Sequence, residues 1–269
     1  MYWFSAINKC ENNLDLYLNY IEMYSVAVTT VIGTNPWVKP VLILDGELDE
    51  HTKKLESFGV TIFKFQSTLI DTLKTKYSGD SFCIAKGAFL RVDISKVCEM
   101  MNITDEYVLY TDNDVMFLDD ISEIKNLKCK YLMMCSEFTK EFSPFSVNTG
   151  VMLINLKNYK SIYNRFKQNI ISMILISQSY DQDMFRYYFG KSIESLPYNF
   201  NYKPYWGLSD NIKILHFHGP KPNQKNKIGE YPKSLNHLIS DGYFEMCDLY
   251  FNVLEKYKNS NDINSLLNT

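Results

Sequence analysis

The chain has 269 residues, of which 46% are hydrophobic and 22% charged, and its formal net charge at pH 7 is −3. The apolar content excludes a disordered or collagen-like chain, and the near balance of charges argues against general nucleic-acid binding, which usually requires a basic excess. A chain of this length suits one large α/β domain or two small ones.

The sequence shows no export or membrane signal. The first 13 residues lack a basic segment followed by a long apolar stretch, so they do not read as a signal peptide. The longest aliphatic run, at residues 170–176, is far shorter than the ~20 residues that a membrane span needs. Without a CxxC pair or metal-finger spacing, the cysteines are expected to be reduced core thiols of a cytoplasmic protein. They are Cys10, Cys83, Cys98, Cys129, Cys135 and Cys247.

Short apolar runs alternate with amphipathic stretches, which is the pattern of successive β–α units. The predicted elements, in chain order, are a strand at 2–7, a helix capped by Asn12 or Asn13, a strand at 41–44, a helix from Asp49 to Gly59, a strand at 60–65, a helix at 84–100, strands at 107–111, 131–135 and 151–155, a helix from 156 or 157, a helix at 181–189, a strand at 212–217 and a helix at 243–257. No repeat or Gly/Ser linker divides the chain, so we predict one α/β domain over residues 1–258, with a mostly parallel central sheet flanked by helices. The tail at 259–269 is polar and predicted to be frayed.

Two acidic residues, Asp112 and Asp114, directly follow the predicted strand at 107–111. Ligands of α/β sheets lie beyond the carboxyl ends of the strands. Two carboxylates this close repel each other unless a cation lies between them, and Mg²⁺ or Mn²⁺ held there could bridge the phosphates of a substrate. A bare D-x-D is more often a surface turn, and the neighbouring Asp119 and Asp120 are interpreted as a helix cap or solvated turn.

A second predicted strand ends in an imidazole, His216, and runs into a Gly-Pro turn. Imidazole is a good partner to two carboxylates around Mn²⁺, although a single histidine at a strand end is more often structural. In the turn, Gly219 permits close backbone approach and Lys221 can neutralise a leaving phosphate. His218 offers a second imidazole, and strand continuity favours His216.

Polar residues between these segments suggest a sugar site. Asn148 and Gly150 begin a predicted central strand, where they can present an amide and open backbone to a sugar. Asp181 and Asp183 begin a predicted helix, and capping of that helix is an equal alternative to a functional role. The ring-rich stretch at 198–206 offers stacking for an acceptor sugar or, equally, core packing.

Taken together and in order, these segments resemble the family-8 retaining glycosyltransferases of the GT-A fold, the family of glycogenin and bacterial lipopolysaccharide galactosyltransferases. The resemblance extends from the first strand to about Lys221, and six landmarks in order are specific although each alone is weak. The landmarks are AFLR at 88–91, YTDNDV at 110–115, NTGVMLIN at 148–155, DQD at 181–183, LPYN at 196–199 and HFHGPKP at 216–222.

The resemblance implies a Rossmann-like GT-A domain that moves a hexose, with retention, from a UDP-sugar (UDP-glucose or UDP-galactose) to a saccharide or protein hydroxyl. It implies Mn²⁺, with Mg²⁺ as the alternative, bound by Asp112, Asp114 and His216. It also allows a homodimer. The other implied donor-site residues are Ala6, Ile7 and Asn8 around uracil and ribose, Arg91 and Asn113 on the donor, Asn148 on the donor sugar, and Gly219 and Lys221 on the phosphates.

The same resemblance places Asp181 on a sugar hydroxyl and Gln182 opposite the reacting anomeric carbon. We interpret Gln182 as a polar stabiliser, because no strong nucleophile is needed when the acceptor attacks the face that the phosphate leaves; a double displacement through Asp181 is the alternative. One departure from the family pattern is Asn223, where a tryptophan is usual, and the family's basic membrane-binding tail is not evident.

Two other functions compete with glycosyl transfer. A non-catalytic, metal-dependent nucleotide-sugar-binding module would use the same ligands without reacting geometry. A haloacid-dehalogenase-like D-x-D phosphatase is less consistent with the sequence, because its motif normally lies near the N-terminus and continues with Thr or Val, where Met116 stands here.

Overall fold

The computed structural model describes residues 1–176 and 180–267. Its strands are β1 (Tyr2–Asn8), β2 (Lys39–Asp45), β3 (Thr61–Lys64), β4 (Tyr107–Thr111), β5 (Val115–Phe117), β6 (Leu132–Ser136), β7 (Val147–Asn155), β8 (Ile193–Ser195) and β9 (Ile214–His216). Its α-helices are α1 (Leu14–Thr34), α2 (Glu50–Ser57), α3 (Ile70–Lys76), α4 (Gly79–Phe89), α5 (Ile94–Met100), α6 (Leu156–Ile176), α7 (Asp181–Phe189), α8 (Asp241–Asn259) and α9 (Ile263–Leu267).

The main sheet has the strand order β3-β2-β1-β4-β7-β6-β8 across the described residues. Neighbours among β1 to β4 run parallel, as do β6 and β8, whereas β7 pairs antiparallel with both β4 and β6. Strands β4 and β6 therefore point the same way, and their carboxyl ends open on the same edge. This topology confirms the predicted α/β domain with a mostly parallel sheet.

Apolar side chains cover both faces of the sheet, and successive residues of β1 show this clearly. Trp3 packs against Tyr24 of α1 and Phe117 of β5 on one face. Phe4 is buried on the other face, in the cluster that contains Phe89. Strands buried on both sides read as continuous apolar runs rather than as alternating patterns, which explains why the sequence identified them.

A small second sheet brings the two acidic residues, Asp112 and Asp114, close to His216. Strands β5 and β9 pair antiparallel with Val115 opposite His216, and the Phe217 amide donates to the Asp114 carbonyl at 2.9 Å. The Asp112 amide donates to the Gly150 carbonyl of β7 at 2.8 Å. These backbone contacts hold both acids close to His216, although the chain between them is about a hundred residues long.

Two local predictions differ from the structure, and a third is narrowed to one of its two alternatives. The helix predicted at 84–100 is interrupted by a 3₁₀ turn at Leu90–Asp93, whose Arg91 and Asp93 are buried with polar partners from other segments. The predicted polar tail instead contains α9, whose Leu266 is only 8% exposed and packs in the core. Of the two residues proposed to cap α1, Asn13 does so, accepting from the Leu16 amide.

The expectation of six reduced cysteines is wrong for two of them. Cys10, just after β1, and Cys83, in α4, form a disulfide, because the packing of α4 on β1 places their α-carbons 5.7 Å apart. Disulfides are rare in cytosolic proteins, so the bond removes one argument for a cytoplasmic location. The remaining four are buried free thiols, as expected.

No helix in the described part of the chain is long and apolar enough to cross a membrane.

Candidate active site

Two carboxylates and one imidazole converge beyond the carboxyl end of β4. Nε2 of His216 lies 3.4 Å from Oδ1 of Asp114 and 3.7 Å from Oδ2 of Asp112. One candidate ligand atom from each residue lies within 4.8 Å of the others. Two hard carboxylate oxygens and a neutral imidazole nitrogen are a suitable donor set for Mn²⁺ or Mg²⁺. The sequence-predicted cluster is therefore assembled as a group that could hold a divalent ion.

The surroundings shift the pKa values of the two carboxyl groups in this cluster in opposite directions. Burial opposes ionisation of Asp114, but the Lys221 ammonium, which contacts its carboxylate, and His216 hold the pKa of Asp114 well below its usual value. Burial raises the pKa of Asp112, and the charge on Asp114 adds to this rise, whereas Arg91 opposes it. A divalent cation would stabilise both carboxylates in the charged form.

Arg91 connects the two sides of the site through its planar guanidinium. Its Nη2 lies 2.7 Å from Oδ1 of Asp112, and its Nε lies 3.0 Å from Oδ2 of Asp181. Its Nη1 donates to the Thr149 hydroxyl at 2.8 Å. The side chain is almost fully buried, so this fork fixes the relative positions of two carboxylates from distant parts of the chain.

The side-chain amides of Asn148, in β7, and Gln182, in α7, contact each other. Oε1 of Gln182 accepts from Nδ2 of Asn148 at 2.9 Å and from the Thr149 amide at 3.2 Å. Nε2 of Gln182 donates to Oε1 of Glu137 at 2.8 Å. The sequence-predicted Asn148 and Gln182 are thus in direct contact, and the orientation of the Gln182 amide is fixed by its three partners.

Glu137, which was not among the residues predicted from the sequence, also contacts this group through Gln182. Burial opposes its ionisation, but hydrogen bonds from His218, Gln182 and Arg186 lower the pKa of Glu137 to about 2. Nδ1 of His218 lies 3.1 Å from the Tyr205 hydroxyl, and Nε2 lies 3.4 Å from Glu137. His218 is therefore held by Glu137 and Tyr205, and it is His216 that lies beside both aspartates.

A signal for Glu137 was present in the sequence. It directly follows β6, just as Asp112 follows β4, and the two strands open on the same edge of the sheet. The rule that located Asp112 would have located Glu137 as well.

A cavity of about 190 Å³ lies between the end of β1, α4 and the acidic pair. Oδ1 of Asn8 and Oδ1 of Asn113 are buried, and no donor among the described residues reaches either of them. Unsatisfied buried acceptors are costly, so these two atoms are suited to a polar ligand. The sequence-predicted residues in the wall are Ala6, Ile7, Asn8, Arg91, Asp112, Asn113, Asp114 and Lys221.

Several sequence-predicted features are not in the wall of this cavity; they are Gly219, the ring-rich stretch at 198–206, and Asn148, Asp181, Gln182 and His216. Gly219 has φ 108° in the turn after His218, and a Cβ there would lie 3.2 Å from Cβ of Leu238. The ring-rich stretch is divided, since Tyr202 is fully buried whereas Tyr198 is 39% exposed. Part of that stretch is therefore core.

The family model described as Glycosyl transferase family 8 matches residues 14–225, which is most of the chain. The chain belongs to glycosyl transferase family 8. This confirms the resemblance based on the six motifs, and it favours a glycosyltransferase over the D-x-D phosphatase and the non-catalytic binding module.

Solved structures of glycosyltransferases share the fold of this family-8 enzyme. The crystal structure of galactosyltransferase LgtC with donor and acceptor sugar analogs has a TM-score of 0.67 at 14% identity, covering 95% of both chains. GlyE of Streptococcus pneumoniae TIGR4 has a TM-score of 0.66 at 17% identity, covering 99% of this chain and 62% of that one. Mouse xyloside xylosyltransferase 1 has a TM-score of 0.52 at 16% identity, covering 81% of this chain and 97% of that one. No curated protein sequence matches significantly.

Proposed function

We propose that this family-8 enzyme transfers a hexose, with retention of anomeric configuration, from UDP-glucose or UDP-galactose to a hydroxyl of a saccharide or protein. The observation that carries the proposal is the convergence of Asp112, Asp114 and His216 with Lys221 beside a cavity whose wall includes two amide oxygens that no donor among the described residues reaches. Such a site has cationic and metal-binding groups for a diphosphate next to polar acceptors for a nucleoside.

The acidic cluster fits a divalent ion by its donor chemistry. Asp112, Asp114 and His216 would hold Mn²⁺ or, alternatively, Mg²⁺, which when bound supplies a Lewis acid for the negative charge on the leaving diphosphate. Lys221 contacts Asp114 and also donates to the Phe217 carbonyl at 2.9 Å, so its ammonium is held at the edge of the cluster. There it provides a second positive charge for the same phosphates.

The two unpartnered oxygens support uracil and ribose as the nucleoside. Asn8 uses its Nδ2 to donate to the Cys83 carbonyl, and Asn113 uses its Nδ2 to donate to the Ala6 carbonyl, both at 3.0 Å. Each side chain therefore keeps its Oδ1 as an acceptor that no described residue uses, beside one further hydrogen on Nδ2. Uracil N3–H and the ribose hydroxyls are donors that would match these acceptors.

The polar contacts of α7 support same-face substitution rather than a covalent intermediate. The Asp181 carboxylate is paired with Arg91, which weakens it as a nucleophile. In the proposed step, the acceptor oxygen bonds to the anomeric carbon as the bond from that carbon to the diphosphate breaks. The leaving phosphate takes the acceptor's proton, and the Gln182 carbonyl, fixed by two donors, faces the positive charge that develops on the sugar.

The test is release of UDP from a panel of nucleotide sugars in the presence of Mn²⁺, with the anomeric configuration of the product followed by NMR. UDP-glucose or UDP-galactose should be the best donor, and Asp114→Asn should abolish Mn²⁺ binding and turnover while the protein stays folded. The control is Asp120→Asn, an exposed acid outside the site. The proposal fails if no nucleotide sugar binds or reacts, or if Asp114→Asn is fully active.

Three further sequence-based statements stay predictions. They are the cytoplasmic location, against which the disulfide argues, the homodimer, and the domain limits at residues 1–258.

A further inference from the structure

A continuous row of side-chain amides runs from the imidazole of the metal cluster to the residue opposite the proposed reacting carbon. Its members are Asn201, Asn148 and Gln182, and it begins at His216 and ends at Glu137. Asn201 is fully buried in the 3₁₀ turn at Tyr198–Asn201 and has had no role so far.

The backbone of β7 determines which end of each side-chain amide in this row donates and which end accepts. The Gly150 amide donates to Oδ1 of Asn148 at 3.1 Å, and a backbone N–H can only donate. The same oxygen accepts from Nδ2 of Asn201 at 3.0 Å. Oδ1 of Asn201 therefore faces the other way, and it lies 3.0 Å from Nδ1 of His216.

This orientation decides which ring nitrogen of His216 carries the proton. A carbonyl oxygen only accepts, so Nδ1 of His216 must donate to Asn201. In the neutral imidazole, Nε2 then has the free lone pair, and Nε2 is the nitrogen that lies beside Asp112 and Asp114. Histidines that bind metals are commonly oriented in this way by a polar partner on the other nitrogen.

The other end of the row fixes Gln182. With Oδ1 of Asn148 occupied by two donors, Nδ2 of Asn148 points to Oε1 of Gln182. The Thr149 amide donates to the same oxygen, and Nε2 of Gln182 is directed to Glu137. A change at Asn201 would therefore reach both His216 and Gln182.

We propose that Asn201 is a positioning residue that holds His216 in its Nδ1–H tautomer and, through Asn148, fixes the orientation of the Gln182 amide. The consequence for catalysis rests on the proposed function. The effect on the His216 tautomer does not, because it follows from hydrogen bonds within the chain.

The experiment compares two substitutions of Asn201 with a matched control. Asn201→Leu removes both hydrogen bonds, whereas Asn201→Asp keeps the acceptor for His216 and replaces the donor to Asn148 by an acceptor. The control is Asn199→Leu, a buried asparagine in the same turn whose side chain bonds only Asn211 among the described residues. Thermal unfolding of all variants checks that each is folded.

Three readouts separate positioning from general structural damage. Long-range ¹H–¹⁵N spectra of the metal-free protein, labelled in its four histidines, report the tautomer of His216. Titration with Mn²⁺ alone reports metal affinity, and UDP-sugar turnover reports kcat and KM separately.

We expect Asn201→Leu to lose the Nδ1–H signature and to bind Mn²⁺ about 10–100-fold more weakly. Asn201→Asp should keep the tautomer and bind Mn²⁺ within about threefold of the wild type while its kcat falls by about tenfold or more. Asn199→Leu should match the wild type in all three readouts.

The proposal is overturned if Asn201→Leu keeps the wild-type tautomer and Mn²⁺ affinity, or if Asn199→Leu changes them as much. Should Asn201→Leu not fold, Asn201→Asp decides: a kcat equal to that of the wild type contradicts the role toward Gln182. If the wild type transfers no sugar, the proposed function fails, and the tautomer and Mn²⁺ readouts still judge Asn201.

Discussion

Gly150 of β7 and the ring of His216 lie so close that no side chain fits between them. A Cβ atom added to Gly150 would lie 2.5 Å from Nδ1 of His216, and closer still to Cε1. We therefore expect Gly150→Ala to displace the imidazole from Asp112 and Asp114, lowering Mn²⁺ affinity by at least about tenfold and stability by about 1–3 kcal/mol. Mn²⁺ titration and urea unfolding measure the two effects.

The control for this substitution is Gly33→Ala in α1. A Cβ added to Gly33 has no atom within 4 Å apart from its chain neighbours and the backbone of its own helix, so this change should leave Mn²⁺ affinity unaltered and slightly stabilise the helix. Equal Mn²⁺ affinity in the two variants would mean that His216 does not need the space beside Gly150.

A second prediction concerns the fork of Arg91, which pairs with Asp112, Asp181 and Thr149. Lysine has a single ammonium and cannot span these partners, so Arg91→Lys leaves at least one largely buried carboxylate without its partner. We expect the free energy of unfolding to fall by about 3 kcal/mol and KM for the UDP-sugar to rise. Urea unfolding and steady-state kinetics test this, with the exposed Arg165→Lys as control. A loss no larger than that of the control contradicts the prediction.

A third prediction concerns the Cys10–Cys83 disulfide, which joins the end of β1 to α4 across a separation of 73 residues. Removing it increases the conformational entropy of the unfolded chain. In the chain-entropy description, this lowers the free energy of unfolding by about 4 kcal/mol. The cavity beside the acidic pair has Cys83 and Asn8 in its wall, and Asn8 donates to the Cys83 carbonyl, so KM for the proposed UDP-sugar donor should also rise. Reduction of the wild type should reproduce the double variant Cys10→Ser/Cys83→Ser in both measurements. Reductant should not alter the stability or the KM of the double variant. If it does, the effect of reductant on the wild type does not come from the Cys10–Cys83 disulfide alone.

The edge of the sheet where the site lies could be predicted because it depends on local pattern. An apolar strand that ends in polar residues marks its own carboxyl end, and this placed Asp112, Asp114 and His216 correctly relative to β4 and β9. The motif order then identified the family, which the family model confirms.

Features that depend on tertiary contacts could not be predicted in this way. The break in the helix at Leu90–Asp93 exists because Arg91 and Asp93 find partners far away in the chain. The spacing of Cys10 and Cys83 in the sequence does not indicate a disulfide. Only the packing of α4 on β1 brings them together. Asn201 lies at the end of a short 3₁₀ turn, where no periodicity in the sequence indicates which side chains point inward.

The last prediction concerns Lys203, a fully buried lysine that donates to the Asn201 carbonyl at 2.7 Å. Burial lowers the pKa of Lys203 from 10.5 to about 7. Below pH 7 the folded and unfolded states both carry the proton, and the cost of burying the ammonium is fully present. Between pH 7 and 10.5 the unfolded state binds more protons, so this group makes stability rise with pH in that window.

Lys203→Met removes the ammonium and keeps a long side chain. It should therefore stabilise the protein by on the order of 3 kcal/mol at pH 6, with a gain that shrinks steadily toward pH 10. Urea unfolding at a series of pH values measures this difference, and the exposed Lys157→Met serves as control. A gain that is independent of pH would mean that Lys203 keeps its proton in the folded state over the whole range, because only release of that proton makes the gain depend on pH.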